Sequence, residues 1–258
     1  MSETLIFDRK DGIAYLTLNR PEQSNAITID MWNMLGKYWD KVDEDNDIRV
    51  VIITGAGDKV FCAGMDLKEA NRLRKEGKED ILKLIDDPFM QKMRKVSKPI
   101  IAAINGNVFA GGFLIASNSD IRISVHGTTF AITEARVGRG SPWAIPLLWM
   151  LPLGIVMELT LTGEVIPAER MYQMGFINRL VTRKELMPTV ISIAERIRDN
   201  APLSVVAAKE SLLRGMDLGP TAGFEKAIEI YRPVYESEDA WEGPRAFAEK
   251  RKPIWRGR

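Results

Sequence analysis

The chain of 258 residues is 45% hydrophobic and 28% charged, which suits one large globular domain or one domain with an appended helical part. Its 36 Lys and Arg balance 35 Asp and Glu, so no bulk charge argues for nucleic acid or a membrane surface. One cysteine (Cys62) excludes an internal disulfide, and one histidine (His126, in a turn context) leaves little material for a Ser-His-Asp triad or a His-rich metal site. No apolar stretch approaches the ~20 residues of a membrane span and no apolar leader opens the chain, so the expected setting is cytoplasmic.

Leu5 to Asn19 reads as a β-hairpin about Asp11-Gly12, and Thr28 as the cap of a helix through Lys41 with Ile29, Trp32, Leu35, Trp39 and Val42 on one stripe. Val50 to Thr54 is a buried-strand run; strand, helix and strand at this spacing indicate α/β architecture with a right-handed crossover. The Gly55-Ala56-Gly57 turn fails as a dinucleotide fingerprint, because the third glycine position holds Val60 and no amphipathic helix opens there. In FCAGMDLK (Phe61 to Lys68), Ala63-Gly64 forms a small-residue turn, Asp66 caps a helix from Leu67, and Met65 is left with a free backbone N–H. The charged run to Glu79 reads as a solvated helix or lid edge, and Ile81 to Val96 resumes helical spacing.

The chain is organised around Ile100 to Asp120. A β-branched apolar run ends at Asn105-Gly106, and Gly111-Gly112 then opens a short apolar helix. Unpaired N–H groups at such a helix start can hold a carbonyl oxygen as it becomes an oxyanion; close helix–strand packing is the plainer use of the two glycines. Beyond the strands IRIS and Thr129 to Ile132, Glu134 stands just past a strand end, in an irregular stretch running from Arg136 to Trp143. A surface carboxylate, or an ion-pair partner of Arg136 or Arg139, is its bland alternative to a catalytic role. Pro146 to Thr160, Leu186 to Arg198, Leu203 to Arg214 and the tail from Gly223 to Arg258 read as helical, with a short strand at Leu180-Val181.

Together, NRPEQSNAI (Asn19 to Ile27), FCAGMDLK, KPIIAAINGNVFAGG (Lys98 to Gly112), FAITEARVG (Phe130 to Gly138), LTGEVIPAERMYQMGFIN (Leu161 to Asn178) and EGPRAFAEKRKPIW (Glu242 to Trp255) resemble the crotonase, or enoyl-CoA hydratase/isomerase, superfamily. The resemblance covers almost the whole chain, and the tail and the GEVIPAER region are similar to carnitinyl-CoA dehydratases. It implies a spiral of ββα turns over residues 1–198 holding an acyl-CoA site. Residues 199–258 then form an α-helical region that drives assembly into a trimer or dimer of trimers. It also implies that no metal or cofactor is needed beyond the coenzyme A of the substrate. The backbone N–H groups of Met65 and Gly111 map onto the family's oxyanion hole. Ala26, Ala63 and Leu67 map onto the CoA path, with Gly64 and Asp66 in the same turn. Lys68 and Lys250 map near the nucleotide phosphates, and Tyr231 near the adenine.

One position departs from the hydratase pattern. Hydratases of this family usually carry two glutamates; Glu134 matches one, and Leu114 occupies the other. The isomerase branch works with a single glutamate at the Glu134 position. The expected chemistry is therefore double-bond isomerisation of an enoyl-CoA through a thioester enolate. Hydration, dehydration or lyase chemistry on an unusual acyl group is the alternative, followed by a non-catalytic acyl-CoA binder. Phe109, Phe113, Leu114 and Trp143 are expected to shape the acyl pocket. RNA binding, known among crotonase relatives, is disfavoured by the lack of a basic stripe.

Overall fold

The computed structural model describes residues 3–78 and 80–258. The hairpin forms as β1 (Leu5–Lys10) and β2 (Ile13–Leu18), paired antiparallel. Helix α1 (Ile29–Glu44) starts where Thr28 Oγ1 accepts from the Met31 N–H at 3.2 Å, buries Trp32, Leu35, Trp39 and Val42, and runs past Lys41. Next come β3 (Val50–Gly55), β4 (Val60–Cys62) and α2 (Leu67–Lys75), capped by the Asp66 carboxylate.

Ile81 to Val96 is not one helix. A single 3-10 turn (Ile81–Leu84) is followed by irregular chain and a short α3 (Gln91–Lys95). Pro88 lacks the N–H a helix needs and biases Asp87 toward extended backbone, which interrupts the periodic pattern. Then follow β5 (Ile100–Ile104), β6 (Asn107–Phe109), α4 (Gly111–Asn118), β7 (Ile121–Val125) and β8 (Thr129–Ala131). Glu134–Val137 forms a 3-10 turn. The apolar run after it divides into a 3-10 helix (Pro142–Trp149) and α5 (Leu153–Thr162), parted at Pro152. The remaining elements are β9 (Ile166–Pro167), α6 (Ala168–Gln173), β10 (Arg179–Val181), α7 (Arg183–Arg198), α8 (Pro202–Leu218), α9 (Pro220–Glu236) and α10 (Asp239–Ala248).

The tail is helical only to Ala248. Its last residues are held as extended chain: the Asp239 carboxylate accepts from the N–H groups of Arg256 at 2.7 Å and Gly257 at 2.9 Å, and Glu242 accepts from Ile254 at 2.8 Å. Competition from these buried carboxylates ends the helical path that composition alone favours.

The six-stranded sheet has the order β1-β2-β3-β5-β7-β10 and the four-stranded sheet β4-β6-β8-β9. Each pair β3/β4, β5/β6 and β7/β8 therefore gives one strand to each sheet, and both sheets grow in parallel as the chain winds forward. This is the expected α/β spiral with a helical C-terminal region. The strands β3 and β5 are buried almost throughout. On one face they pack against Leu186, Val190 and Ala194 of α7, and on the other against α1 and α4. Among the described residues no helix is long and apolar enough to cross a membrane.

Candidate active site

Two chain turns meet at the N-terminus of α4. The first runs through Ala63-Gly64-Met65 and is pinned to the loop before α1: the Ile27 N–H donates to Gly64 O at 2.8 Å and the Asp66 N–H to Ile27 O at 2.9 Å. That parallel bridge uses the groups on either side of Met65 and leaves the Met65 N–H with no acceptor among the described residues. Arg20 braces the turn, donating to Ala26 O at 2.6 Å and pairing with Asp66 at 2.8 Å. Despite partial burial, the guanidinium and two N–H bonds hold the Asp66 carboxyl below its ordinary range.

The second turn enters α4 through Ala110, whose φ of 50° and ψ of −118° lie where an L-residue is strained. This twist sets the Gly111 N–H at the helix start, where it too has no acceptor among the described residues. The turns are in contact. A Cβ on Gly64, which sits at φ +88°, would stand 2.8 Å from Gly111 N, and one on Gly111 would stand 3.2 Å from Gly64 Cα. Only glycine at both positions lets the two free donors come this close.

Glu134 begins the 3-10 turn after β8. The alternative ion pair with Arg136 or Arg139 does not form among the described residues, and Glu134 Oε2 is buried without a hydrogen-bond partner. Burial raises the carboxyl above its ordinary range; the residue's own backbone N–H and the nearby Trp143 indole oppose that in part.

Met65, Gly111 and Glu134 line one cavity of about 450 Å³, together with Ala63, Leu67, Leu114 and Trp143. Leu114 thus presents an aliphatic wall to the cavity. Gly64 lies behind the lining, against Gly111. Asp66 acts as the cap and ion-pair partner of the turn, so its carboxylate is engaged by protein. Ala26 sits beside the bridge to Met65, and Lys68 is exposed at the start of α2.

Several expected residues lie elsewhere. Phe109 ends β6 in register with Ala131 and does not line the cavity. Phe113 is fully buried against Phe130 and Phe176, because the helix rotation that turns Leu114 to the cavity turns Phe113 to the core. Tyr231 lies on α9 beside Tyr235, and Lys250 follows α10 as an exposed residue; neither, expected toward the nucleotide of coenzyme A, lines this cavity.

The cavity also includes residues the sequence did not point to: Trp32, Ile81, Leu82, Pro88 and Phe89. Trp32 was legible only as a core position of α1, yet its ring comes within 3.2 Å of a Cβ on Gly111. Its indole N–H donates to Asp87 O at 2.9 Å, and the Asn33 side chain brackets the same segment by donating to Leu84 O and accepting from the Asp86 N–H, each at 3.0 Å. The proline that breaks the helical spacing at Pro88 was the available signal.

Two adjacent backbone donors and one half-buried carboxylate whose Oε2 has no partner, in an apolar cavity, make a site suited to polarising a carbonyl and moving a proton next to it. Residues 8–258 match the family model for enoyl-CoA hydratase/isomerase. The chain is 36% identical to carnitinyl-CoA dehydratase from Citrobacter koseri, over 100% of both chains. Among solved structures it is similar to enoyl-CoA hydratase from Mycobacterium tuberculosis, with a TM-score of 0.89 and 34% identity over 99% of both chains. It is also similar to enoyl-CoA hydratase from Bacillus anthracis, with a TM-score of 0.93 and 30% identity over 99% of this chain and 100% of the other. The chain belongs to the enoyl-CoA hydratase/isomerase family of enzymes.

Proposed function

We propose that the enzyme shifts the double bond of an enoyl-CoA, with Glu134 as its single acid/base and the Met65 and Gly111 N–H groups holding the enolate oxygen. The observation that carries the reading is the placement of one carboxylate, its Oε2 without a partner, in the same cavity as two acceptor-free donors, with Leu114 in place of a second carboxylate. Glu134 takes a proton from C2 of a 3-enoyl thioester, and the C–H electron pair passes into a dienolate whose charge rests on the thioester oxygen. The same carboxyl returns the proton to C4, and the double bond is left between C2 and C3. The free donors become engaged only as the oxygen gains charge, and one such donor contributes about 3 kcal/mol to a transition state. Side chain and backbone alone supply this chemistry, without a metal or cofactor.

Dehydration of a 3-hydroxyacyl-CoA is the second reading, favoured by the full-length similarity to proteins named carnitinyl-CoA dehydratase. It uses the same first step and loses hydroxide from C3. Incubation with 2-enoyl-, 3-enoyl- and 3-hydroxyacyl-CoA esters in D2O, followed by mass spectrometry, separates the two. A double-bond shift with no gain or loss of water is expected, with deuterium at C4 only to the extent that the Glu134 carboxyl exchanges its proton with solvent before returning it. Water addition to a 2-enoyl-CoA as fast as any double-bond shift establishes the second reading, and binding without turnover establishes a non-catalytic member.

The assembly we propose is a trimer or dimer of trimers. Helix α9 leaves Phe224 70% and Tyr235 75% exposed on one apolar stripe. A monomeric mass by light scattering at micromolar protein overturns it.

A further inference from the structure

The cavity carries a second charge that the proton transfer does not use. Among its described lining side chains only Glu134 and Arg139 are ionisable. Arg139 is half-buried, and its guanidinium has no carboxylate partner and no hydrogen bond among the described residues. Its place is fixed through the backbone: the Arg139 N–H donates to Glu134 O at 2.8 Å, which closes the 3-10 turn. Arg136 leaves the cavity by contrast, its side chain lying over Gly163.

Arg139 does not serve Glu134. The shift of that carboxyl arises from burial, from its own backbone N–H and from Trp143, with no cation contributing. Both groups line the one cavity, and no ion pair joins them among the described residues. An unpartnered guanidinium among apolar walls is a strong recognition element for a carboxylate, because its fork of donors matches two oxygens and the surroundings screen the attraction weakly. It is also an unfavourable neighbour for a quaternary ammonium group such as a carnitinyl chain carries.

We infer that Arg139 is a specificity-determining residue and that the preferred substrates are acyl-CoA thioesters whose acyl chain ends in a carboxylate. This rests on the cavity being the acyl site, as proposed above, and makes this chain differ in acyl charge from a carnitinyl-CoA enzyme. A placed charged group in a mostly apolar pocket orients the ligand, so the carboxylate end would sit on Arg139 and leave C2 near Glu134.

Binding of unreactive, saturated ligands tests this without relying on turnover. Calorimetry with the full chain would compare hexanoyl-CoA, hexanedioyl-CoA with its far carbon oxidised to a carboxylate, and 4-trimethylammoniobutanoyl-CoA. Hexanedioyl-CoA is expected to bind about tenfold or more tightly than hexanoyl-CoA. Arg139→Gln should abolish that preference, Arg139→Glu should turn it toward the trimethylammonium ligand, and Glu134→Gln should leave it in place. Equal affinity of the wild-type protein for the first two ligands overturns the inference, as does a preference that survives Arg139→Gln. A uniform loss of affinity for all three ligands in Arg139→Gln assigns the residue to the CoA phosphates and overturns it equally. If the preference holds while Glu134→Gln keeps full activity on reactive esters, the proton-transfer reading fails and the recognition of the carboxylate stands.

Discussion

The two sides of the cavity are built on opposite principles. On the donor side every atom is crowded: a Cβ on Gly64 meets Gly111 N at 2.8 Å, and one on Gly112 meets Cys62 O at 2.2 Å. On the acid/base side a Cβ on Gly138 meets nothing within 4 Å, and one on Gly140 meets only Pro142 Cδ at 3.8 Å. The donors are thus fixed by packing before any substrate arrives, which is what stabilisation of a developing oxyanion requires. The Glu134 to Gly140 segment is held mainly by backbone hydrogen bonds and has room to adjust. On the proposed roles adjustment costs little there, because a proton can be delivered from a range of carboxyl positions while an oxyanion hole works only in one geometry.

The largest effect is expected at Gly64. Gly64→Ala forces a left-handed φ on a residue that resists it and drives a methyl into the Gly111 donor. Turnover should fall by about two to three orders of magnitude, the range for loss of an oxyanion donor. Circular dichroism should still report a folded protein, with melting lowered by the equivalent of about 1–3 kcal/mol. A folded Gly64→Ala enzyme with near wild-type rate would show that the contact between the two turns is packing alone.

Glu134→Gln comes next. It should keep CoA-ester binding and lose about two orders of magnitude in rate. Because burial raises the carboxyl above its ordinary range, the acidic limb of kcat/KM should lie above about 4.3, the usual glutamate value. The sign for stability is opposite. Between the unfolded and the raised folded pKa the native state binds more protons, so the native state loses stability as pH rises through that window. Glu134→Gln should therefore melt no lower than wild type at neutral pH, and any gain should vanish in acid. A melting temperature well below wild type at neutral pH would make Glu134 a structural partner.

Leu114→Glu tests what the missing carboxylate means. It places a second carboxyl in the first turn of α4, in the same cavity as Glu134. Two carboxyls in one apolar cavity disfavour joint ionisation, so one holds its proton near neutral pH. Hydration of a 2-enoyl-CoA should rise severalfold relative to double-bond shift, read by the ratio of products. An unchanged ratio would show that Leu114 is not the determinant of the reaction.

The contrast between the two sides also explains what the sequence made legible. The donor side depends on local rules: a strand that ends in a turn dipeptide, glycines at a helix start and an aspartate cap. All of these are visible in FCAGMDLK and in Ile100 to Asp120, and Met65 and Gly111 followed from them. The spiral itself left no sequence repeat, because its turns agree in path but bury different partners: β5 between two strands, β10 at a sheet edge. The walls were harder to read. Trp32 and Phe113 are both apolar residues on helices, and only the rotation of α1 and α4 in the folded chain places one in the cavity and the other in the core. Phe109 was misplaced for the same reason, since strand register decides its face. Tyr231 and Lys250 were carried over from the family pattern for the nucleotide end of coenzyme A, which the cavity beside Glu134 does not reach. The helix anticipated over Ile81 to Val96 failed at Pro88, a local signal outweighed by periodicity around it.

The smallest effect should come from the open side of the comparison. Gly138 sits at φ +66°, caps the 3-10 turn of Glu134, and directly precedes Arg139. Gly138→Ala meets no atom within 4 Å, so its only cost is the left-handed backbone, about 1 kcal/mol for an L-residue. For a domain of this size that lowers melting by about 2–4 °C. The turn can relieve part of the strain by shifting Arg139 and Glu134 together, since their mutual hydrogen bond is within the backbone. Turnover on a neutral enoyl-CoA should therefore change by less than about threefold, because general acid/base transfer tolerates small displacements. A loss as large as that of Gly64→Ala would break the comparison: the carboxylate side would then be as tightly determined as the donors, and the empty space around Gly138 would be filled in the working enzyme.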